Sequence, residues 1–306
     1  MAVSEKSAGL MRAAGMASVG VATLLIAIKL YAFIATNSVS MLSSLFDSAL
    51  DLGASLVNLF AIRTAVTPAD AEHRFGHGKA EPLAGLVQVA FILGSSLLLL
   101  FEVGKHFFYR EAVEQEGVGI VVMVLSIGLT LALILFQRHV IRQTDSMAVH
   151  ADSTHYFTDF LANLAVIVSL LLTSLLGWWW IDPLFGLLVA LFIAFSALSI
   201  GRAALDMLMD REMDDQDRDR IKLIIRSNTE VIDLHELRTR VAGQDRFIQF
   251  HLDLKPDITL KDAHRISDAV EASLLEAFPG AEIIIHQDPL GADRVIHSPV
   301  RITGEP

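Results

Sequence analysis

The chain predicts an all-α membrane domain of six helices followed by a small α+β domain, of α-β-β-α-β order, outside the membrane. Three observations predict it. Over 306 residues, 53% are hydrophobic and the mean hydropathy is +0.51, too apolar for a soluble chain of this length. Apolar runs of about 20 residues or more, the length that crosses a bilayer, recur between Gly9 and Leu205. From Asp210 onward the character changes, with 20 acidic against 13 basic residues. The predicted boundaries are 1–208 for the membrane domain, 209–290 for the second domain and 291–306 for a flexible tail.

The first span runs from about Gly9 to Ala35, and no removable signal peptide is expected ahead of it. Lys29, near its end, is expected to snorkel to the interface. The second span, Val39 to Val66, carries Ser44, Asp47, Asp51, Ser55 and Asn58 at helical spacing. That stripe cannot face lipid. Pro68 ends the helix. The loop that follows, to Lys79, holds Asp70, His73 and His77 within eight residues. It reads either as a solvated connection or as a metal site, and Gly76 and Gly78 favour a shaped loop.

The third span, Pro82 to Lys105, and the fourth, Val118 to Gln137, are apolar. The fifth, Met147 to Leu176, opens on the stripe Asp152, His155, Asp159 and Asn163. The sixth, Asp182 to Leu205, follows the aromatic turn Gly177-Trp-Trp-Trp180, a residue type of membrane interfaces. Lys6, Arg12, Arg63, Arg74, Lys79, Arg138, Arg142 and Arg202 fall on one side of the membrane, Lys105 and Arg110 on the other. The positive-inside rule then puts both termini in the cytoplasm, and the acidic domain becomes cytosolic.

In that domain a helix is predicted from Asp214 to Asn228, a hairpin from Ile232 to Val241 and Arg246 to Leu254, a helix from Leu260 to Phe278 and a strand from Ala281 to Gln287. The order is ferredoxin-like, with the helices on one face of a small sheet. Fewer than about 100 residues bury little surface alone, so dimerisation would help. His235, His251, His264, His286 and Asp288 gather here, either as surface and core residues or as metal ligands.

Asp47-x-x-x-Asp51 and His155-x-x-x-Asp159 each place two ligand groups one turn apart on one helix face. Facing each other they would form a four-ligand site of one imidazole and three carboxylates. Three acids at membrane depth are uncompensated unless protonated or metal-bound. With no cysteine in the chain, any metal is held by nitrogen and oxygen, which suits Zn2+ and does not exclude Fe2+, Cd2+ or Mn2+. Metal and protons compete for the same atoms, so alternating access would move them in opposite directions.

A proton or cation channel would use the same stripes, but a four-ligand trap binds too tightly for rapid conduction. A membrane-anchored metal sensor would account for the acidic domain and leave the intramembrane pairs unexplained. The sequence has no helical His-Glu-x-x-His, no Gly-x-Ser-x-Gly and no phosphate-binding glycine loop, so neither an enzyme nor ATP-driven pumping is expected. The net charge of -11 argues against nucleic acid as a partner.

These residues, with Phe75-Gly-His-Gly-Lys-Ala-Glu81 and Ile284-Ile-His-Gln-Asp-Pro289, resemble the cation diffusion facilitator family, in particular its bacterial zinc and ferrous-iron efflux pumps. The resemblance implies a proton-coupled exporter in the bacterial inner membrane, a multi-pass homodimer that uses Zn2+ and no organic cofactor. It implies a transport site of Asp47, Asp51, His155 and Asp159, and a loop site of Asp70, His73 and His77. It further implies a paired cytosolic site of His235, His251, His264, His286 and Asp288, and an interlock between Lys79 and Asp210. Thr154 stands where close relatives often carry a larger apolar residue.

Overall fold

The computed structural model describes residues 5–36, 39–108, 117–176 and 181–291. Arg110, the Gly177–Trp180 turn and the tail beyond Gly291 lie outside the described residues. In chain order the elements are α1 (Glu5–Thr36), α2 (Val39–Ala65), α3 (Ala80–Phe108), α4 (Gly117–Thr144), α5 (Met147–Leu176), α6 (Ile181–Leu208), α7 (Asp215–Arg226), β1 (Asp233–Ala242), β2 (Asp245–Leu254), α8 (Leu260–Ala277) and β3 (Glu282–Pro289). They divide into two compact units, one up to Arg211 that also takes in Ala242–Asp245 of the β1–β2 connection, the other made of the remaining residues from Glu212 onward.

Among the described residues α1, α2, α3, α4 and α6 are long and apolar enough to cross a membrane. The 30-residue α5 has the length as well, and its first turns carry the polar stripe. Side chains are sorted inside out relative to a soluble protein. Leu97, Leu98, Phe101 and Phe195 are exposed, as lipid-facing groups are, while Ser18, Ser55, Asn58, Gln88, Gln137 and Asp152 are buried between helices. The helices α1, α2, α4 and α5 pack around one another, and α3 pairs with α6. A β-carbon on Gly15 would lie 2.9 Å from Leu59 Cδ1, so α1 and α2 approach closely at a residue with no side chain.

One boundary and one side chain differ from the sequence expectation. The fourth helix continues past Gln137 to Thr144, because His139, Arg142 and Gln143 prolong it into the aqueous interface without a breaker. Arg138 and Arg142 thereby become successive turns of one helix face. Lys29 does not reach for water: its Nζ donates to the Ser44 carbonyl at 3.1 Å and to Ser48 Oγ at 2.7 Å. Close packing of α1 on α2 offers the ammonium acceptors nearer than the interface.

In the second unit, Asp215 and Asp217 in the first turn of α7 and Arg226 in its last complement the helix dipole. Thr259 caps α8, accepting from the Asp262 N–H at 3.2 Å and donating to the Asp262 carboxylate at 2.6 Å. The strands β1 and β2 are joined by the two residues Gly243 and Gln244, a connection open only to antiparallel neighbours; Gly243 sits at φ 62°. The strand β3 lies parallel to β2, reached through the α8 crossover, and the sheet order is β1-β2-β3.

Alternation along β2 sends Ile248, Phe250, Leu252 and Leu254 into the core with Ile221, Ile225, Ile266, Val270 and Leu274 of the two helices. The other face of the sheet therefore receives His251 and Asp253. Its register pairs His251 with His286 and Asp253 with Asp288. The helices cover one face and the ionisable residues collect on the opposite one.

Candidate metal sites

Within the membrane unit, α2 and α5 bring Asp51, His155 and Asp159 together, with one ligand atom from each inside a 4.8 Å group. His155 Nε2 stands 3.2 Å from Asp51 Oδ1 and 3.6 Å from Asp159 Oδ2. The imidazole is 3% exposed, so it meets the carboxylates with little competing water. Asp159 Oδ2 is buried and accepts no hydrogen bond. An orphaned carboxylate oxygen aimed at a shared nitrogen is where a cation would restore the missing interaction. Asp47, one turn before Asp51, is exposed and stands outside this group.

Behind the three lies a polar network that sequence reading did not resolve. Ser18 Oγ donates to Asp152 Oδ2 at 2.5 Å and Gln137 Nε2 donates to the same oxygen at 2.7 Å. Tyr156 pairs its hydroxyl with Ser55 Oγ at 2.8 Å. These bonds tie α1, α2 and α4 to the α5 turn that carries His155. The start of α5 is held separately: buried Glu81 accepts from Ser146 Oγ at 2.6 Å and from the Ala148 N–H at 3.2 Å. Glu81 thus satisfies a donor that the first turn of a helix leaves open. Ser18 and Gln137 as polar breaks in apolar spans were the available signal for this network.

In the loop, Asp70 Oδ1 accepts from the backbone N–H of His73 at 2.6 Å and of Glu72 at 2.9 Å, closing an Asx turn. The His73 hydrogen bond is the main reason the Asp70 carboxyl lies below its ordinary range; the Glu72 bond and the two imidazoles act in the same direction against slight burial. His73 Nδ1 and His77 Nε2 are each 3.4 Å from a different Asp70 oxygen. All three expected loop residues are therefore adjacent. The turn at Gly76, φ 80°, lets the chain double back to place them.

Lys79 Nζ meets Asp210 Oδ1 at 2.9 Å and also donates to the Leu208 carbonyl at 3.4 Å. The expected pair is present, and it serves as a C-terminal cap for α6. Asp210 adopts φ 56°, the left-handed conformation that ends a helix.

On the open face of the sheet, Asp288 is the hub. Its Oδ2 is 2.8 Å from His251 Nδ1 and 3.4 Å from His235 Nε2, and its Oδ1 is 3.1 Å from His286 Nε2. Partial burial opposes ionisation, but the His251 hydrogen bond and the imidazoles of His286, His251 and His235 outweigh it and hold the carboxyl below the usual range. His264 is not brought in: it lies exposed on α8, 3.5 Å from Asp268. Two further acids join the edge, Asp253 at 3.7 Å from His235 Nδ1 and Glu236 at 4.0 Å from His251 Nε2. Asp253, two residues after His251 in a strand, was legible from period two. Glu236 was not, because it sits at φ 49°, a local break that redirects β1.

With its apolar spans and its clustered His and Asp side chains, this architecture is that of a polytopic membrane protein with candidate cation sites. Residues 15–209 match the cation efflux transmembrane domain and residues 213–290 the cytoplasmic domain of cation efflux proteins; the chain belongs to that family, the cation diffusion facilitators. A cation-efflux pump FieF of Shewanella oneidensis is 49% identical over 277 residues, 90% of this chain and 93% of its own. One from Yersinia enterocolitica is 45% identical over 282 residues, 92% and 94% of the two chains. The metal-bound C-terminal domain of the CzcD transporter from Thermotoga maritima is 25% identical, covering 26% of this chain and 96% of its own with a TM-score of 0.24.

Proposed function

We propose that the chain exports Zn2+ from the cytoplasm across the bacterial inner membrane in exchange for H+, as a homodimer with both termini cytoplasmic. The family supports divalent-metal efflux, and the relatives are named as cation-efflux pumps. One observation carries the finer reading: His155 Nε2 lies 3.2 and 3.6 Å from oxygens of Asp51 and Asp159. Tetrahedral Zn2+ with bonds of about 2.0–2.2 Å needs ligand atoms roughly 3.3–3.5 Å apart. The two distances from His155 lie close to that spacing, which supports the reading.

The cargo binds to deprotonated Asp51 and Asp159 and neutral His155, with Asp47 joining when metal is present. Protons returning from the other side compete for the same atoms and release it. Fe2+ and Cd2+ fit the same donors and are secondary substrates. Asp70, His73 and His77 form a second site on the cytoplasmic loop. His235, His251, His286 and Asp288 form a third, on a sheet face available to a second copy, and His264 is assigned to it from the family pattern. Lys79 and Asp210 lock the loop to the end of α6.

Purified protein in liposomes, with a metal dye and a pH dye in the lumen, tests this. Zn2+ entry should be accompanied by lumenal proton loss, and Fe2+, Cd2+ and Mn2+ in competition should rank the substrates. Zn2+ entry with no proton movement would overturn the antiport reading and leave metal transport standing.

A further inference from the structure

A cavity of about 270 Å3 opens between α4 and α5, lined by Arg138, Arg142, His150, Ser153, Thr154 and Phe157. It contains none of the three metal-site groups. Its chemistry is that of an anion site: two guanidiniums one helical turn apart, the Ser153 hydroxyl and an imidazole line it, while the Thr154 hydroxyl donates to the His150 carbonyl at 2.9 Å. No carboxylate is among the residues that line it. Arg138 is held in place with its guanidinium carbon 5.3 Å from the centre of the Phe157 ring.

The source of the anion follows from what adjoins the cavity. The apolar run of α4 ends near Gln137 and the helix continues to Thr144, so Arg138 and Arg142 stand just past that run, where a membrane-crossing helix reaches the interface. Leu131, Leu135, Arg138 and Arg142 recur at four-, three- and four-residue steps and share one helix face. Leu131 and Leu135 are 41% and 59% exposed, which makes an apolar track leading to the two arginines. Ile141 and Phe157 add an apolar floor. A free phosphate would use the guanidiniums and leave the track empty, whereas a phospholipid occupies both.

We propose that this cavity binds the anionic phosphodiester headgroup of a membrane phospholipid, with one acyl chain lying along Leu135 and Leu131. The volume is just under the roughly 300–1,000 Å3 of pockets for drug-sized ligands, enough for a headgroup and not for a whole lipid. Basic pockets between transmembrane helices are the general form of such sites. Because Thr154 and Phe157 flank His155 on α5, a bound lipid would also brace the helix that carries the metal ligand.

The test uses the full chain in a neutral detergent and reads its thermal unfolding, which requires no transport. Dioctanoyl phosphatidylglycerol should raise the unfolding temperature saturably, and dioctanoyl phosphatidylcholine should do so weakly. The double variant R138Q/R142Q should need about tenfold more phosphatidylglycerol or worse, the loss expected for charge-assisted hydrogen bonds. Should the double variant fail to fold, Arg142→Gln alone, at the exposed helix end, should weaken binding in the same direction. Variants that titrate like the parent would overturn the site. An equal shift with inorganic phosphate would overturn the lipid as its occupant.

Discussion

His155 Nε2 lies 3.2 Å from Asp51 Oδ1, joining two residues 104 positions apart in the chain across the packing of α2 and α5. That one distance places an imidazole against a carboxylate inside an apolar bundle. Along α5 itself His155 already stands 3.6 Å from Asp159, one turn away, and the packing of α2 on α5 adds Asp51 as the third group from across the interface.

Asp51→Ala and Asp159→Ala should each abolish Zn2+ uptake into proteoliposomes, a fall of more than about 100-fold, since removing a direct ligand exceeds the 10- to 100-fold losses of outer-shell groups. Asp47→Ala should retain measurable transport, because Asp47 stands outside the group formed by the other three. Equal loss in all three variants would mean that Asp47 holds the ion as firmly as Asp51 and Asp159 do.

Lys29→Met should destabilise the membrane unit. Its ammonium makes two charge-assisted hydrogen bonds to α2, at 3.1 and 2.7 Å, and a methionine leaves Ser48 Oγ without that partner. A loss of about 1–3 kcal/mol is expected. Unfolding by denaturing detergent reads it, and an unchanged midpoint would mean that the ammonium prefers the aqueous interface after all.

Asp288→Asn should weaken Zn2+ binding to the cytosolic cluster by the same factor at pH 6 and at pH 8. A carboxyl whose pKa is depressed contributes fully above the ordinary carboxylate range and loses that contribution only as pH falls below it, so Asp288 is ionised at both values. Calorimetric titration of the full chain checks this. A mutant effect that vanishes at pH 6 would contradict the assigned charge state.

Phe250→Ala should melt the second unit selectively. Phe250 is 1% exposed and lies between the sheet and both helices, and truncations of that kind cost about 3–5 kcal/mol. Calorimetry should show one transition lowered; a shift of both by equal amounts would mean that the two units unfold together.

The apolar runs, the strand alternation and the four-residue spacing of Asp47 and Asp51 or His155 and Asp159 are local properties, and each was legible without coordinates. So were the loop cluster of Asp70, His73 and His77, whose members are close in the chain, and the α-β-β-α-β order. Period two along β2 also puts Asp253 on the face of His251, although Asp253 was not among the expected ligands.

What the sequence by itself determined, then, was which helix and strand faces carry ligand chemistry, because periodicity of 3.6 or 2.0 residues fixes faces. Only the tertiary structure decided which faces meet. It left Asp47 and His264 apart from their groups, turned Lys29 onto α2, buried Asp152 against Ser18 and Gln137, and opened a cavity beside Arg138 and Arg142. Those outcomes depend on helix rotation and on contacts between residues distant in the chain, which no local period encodes.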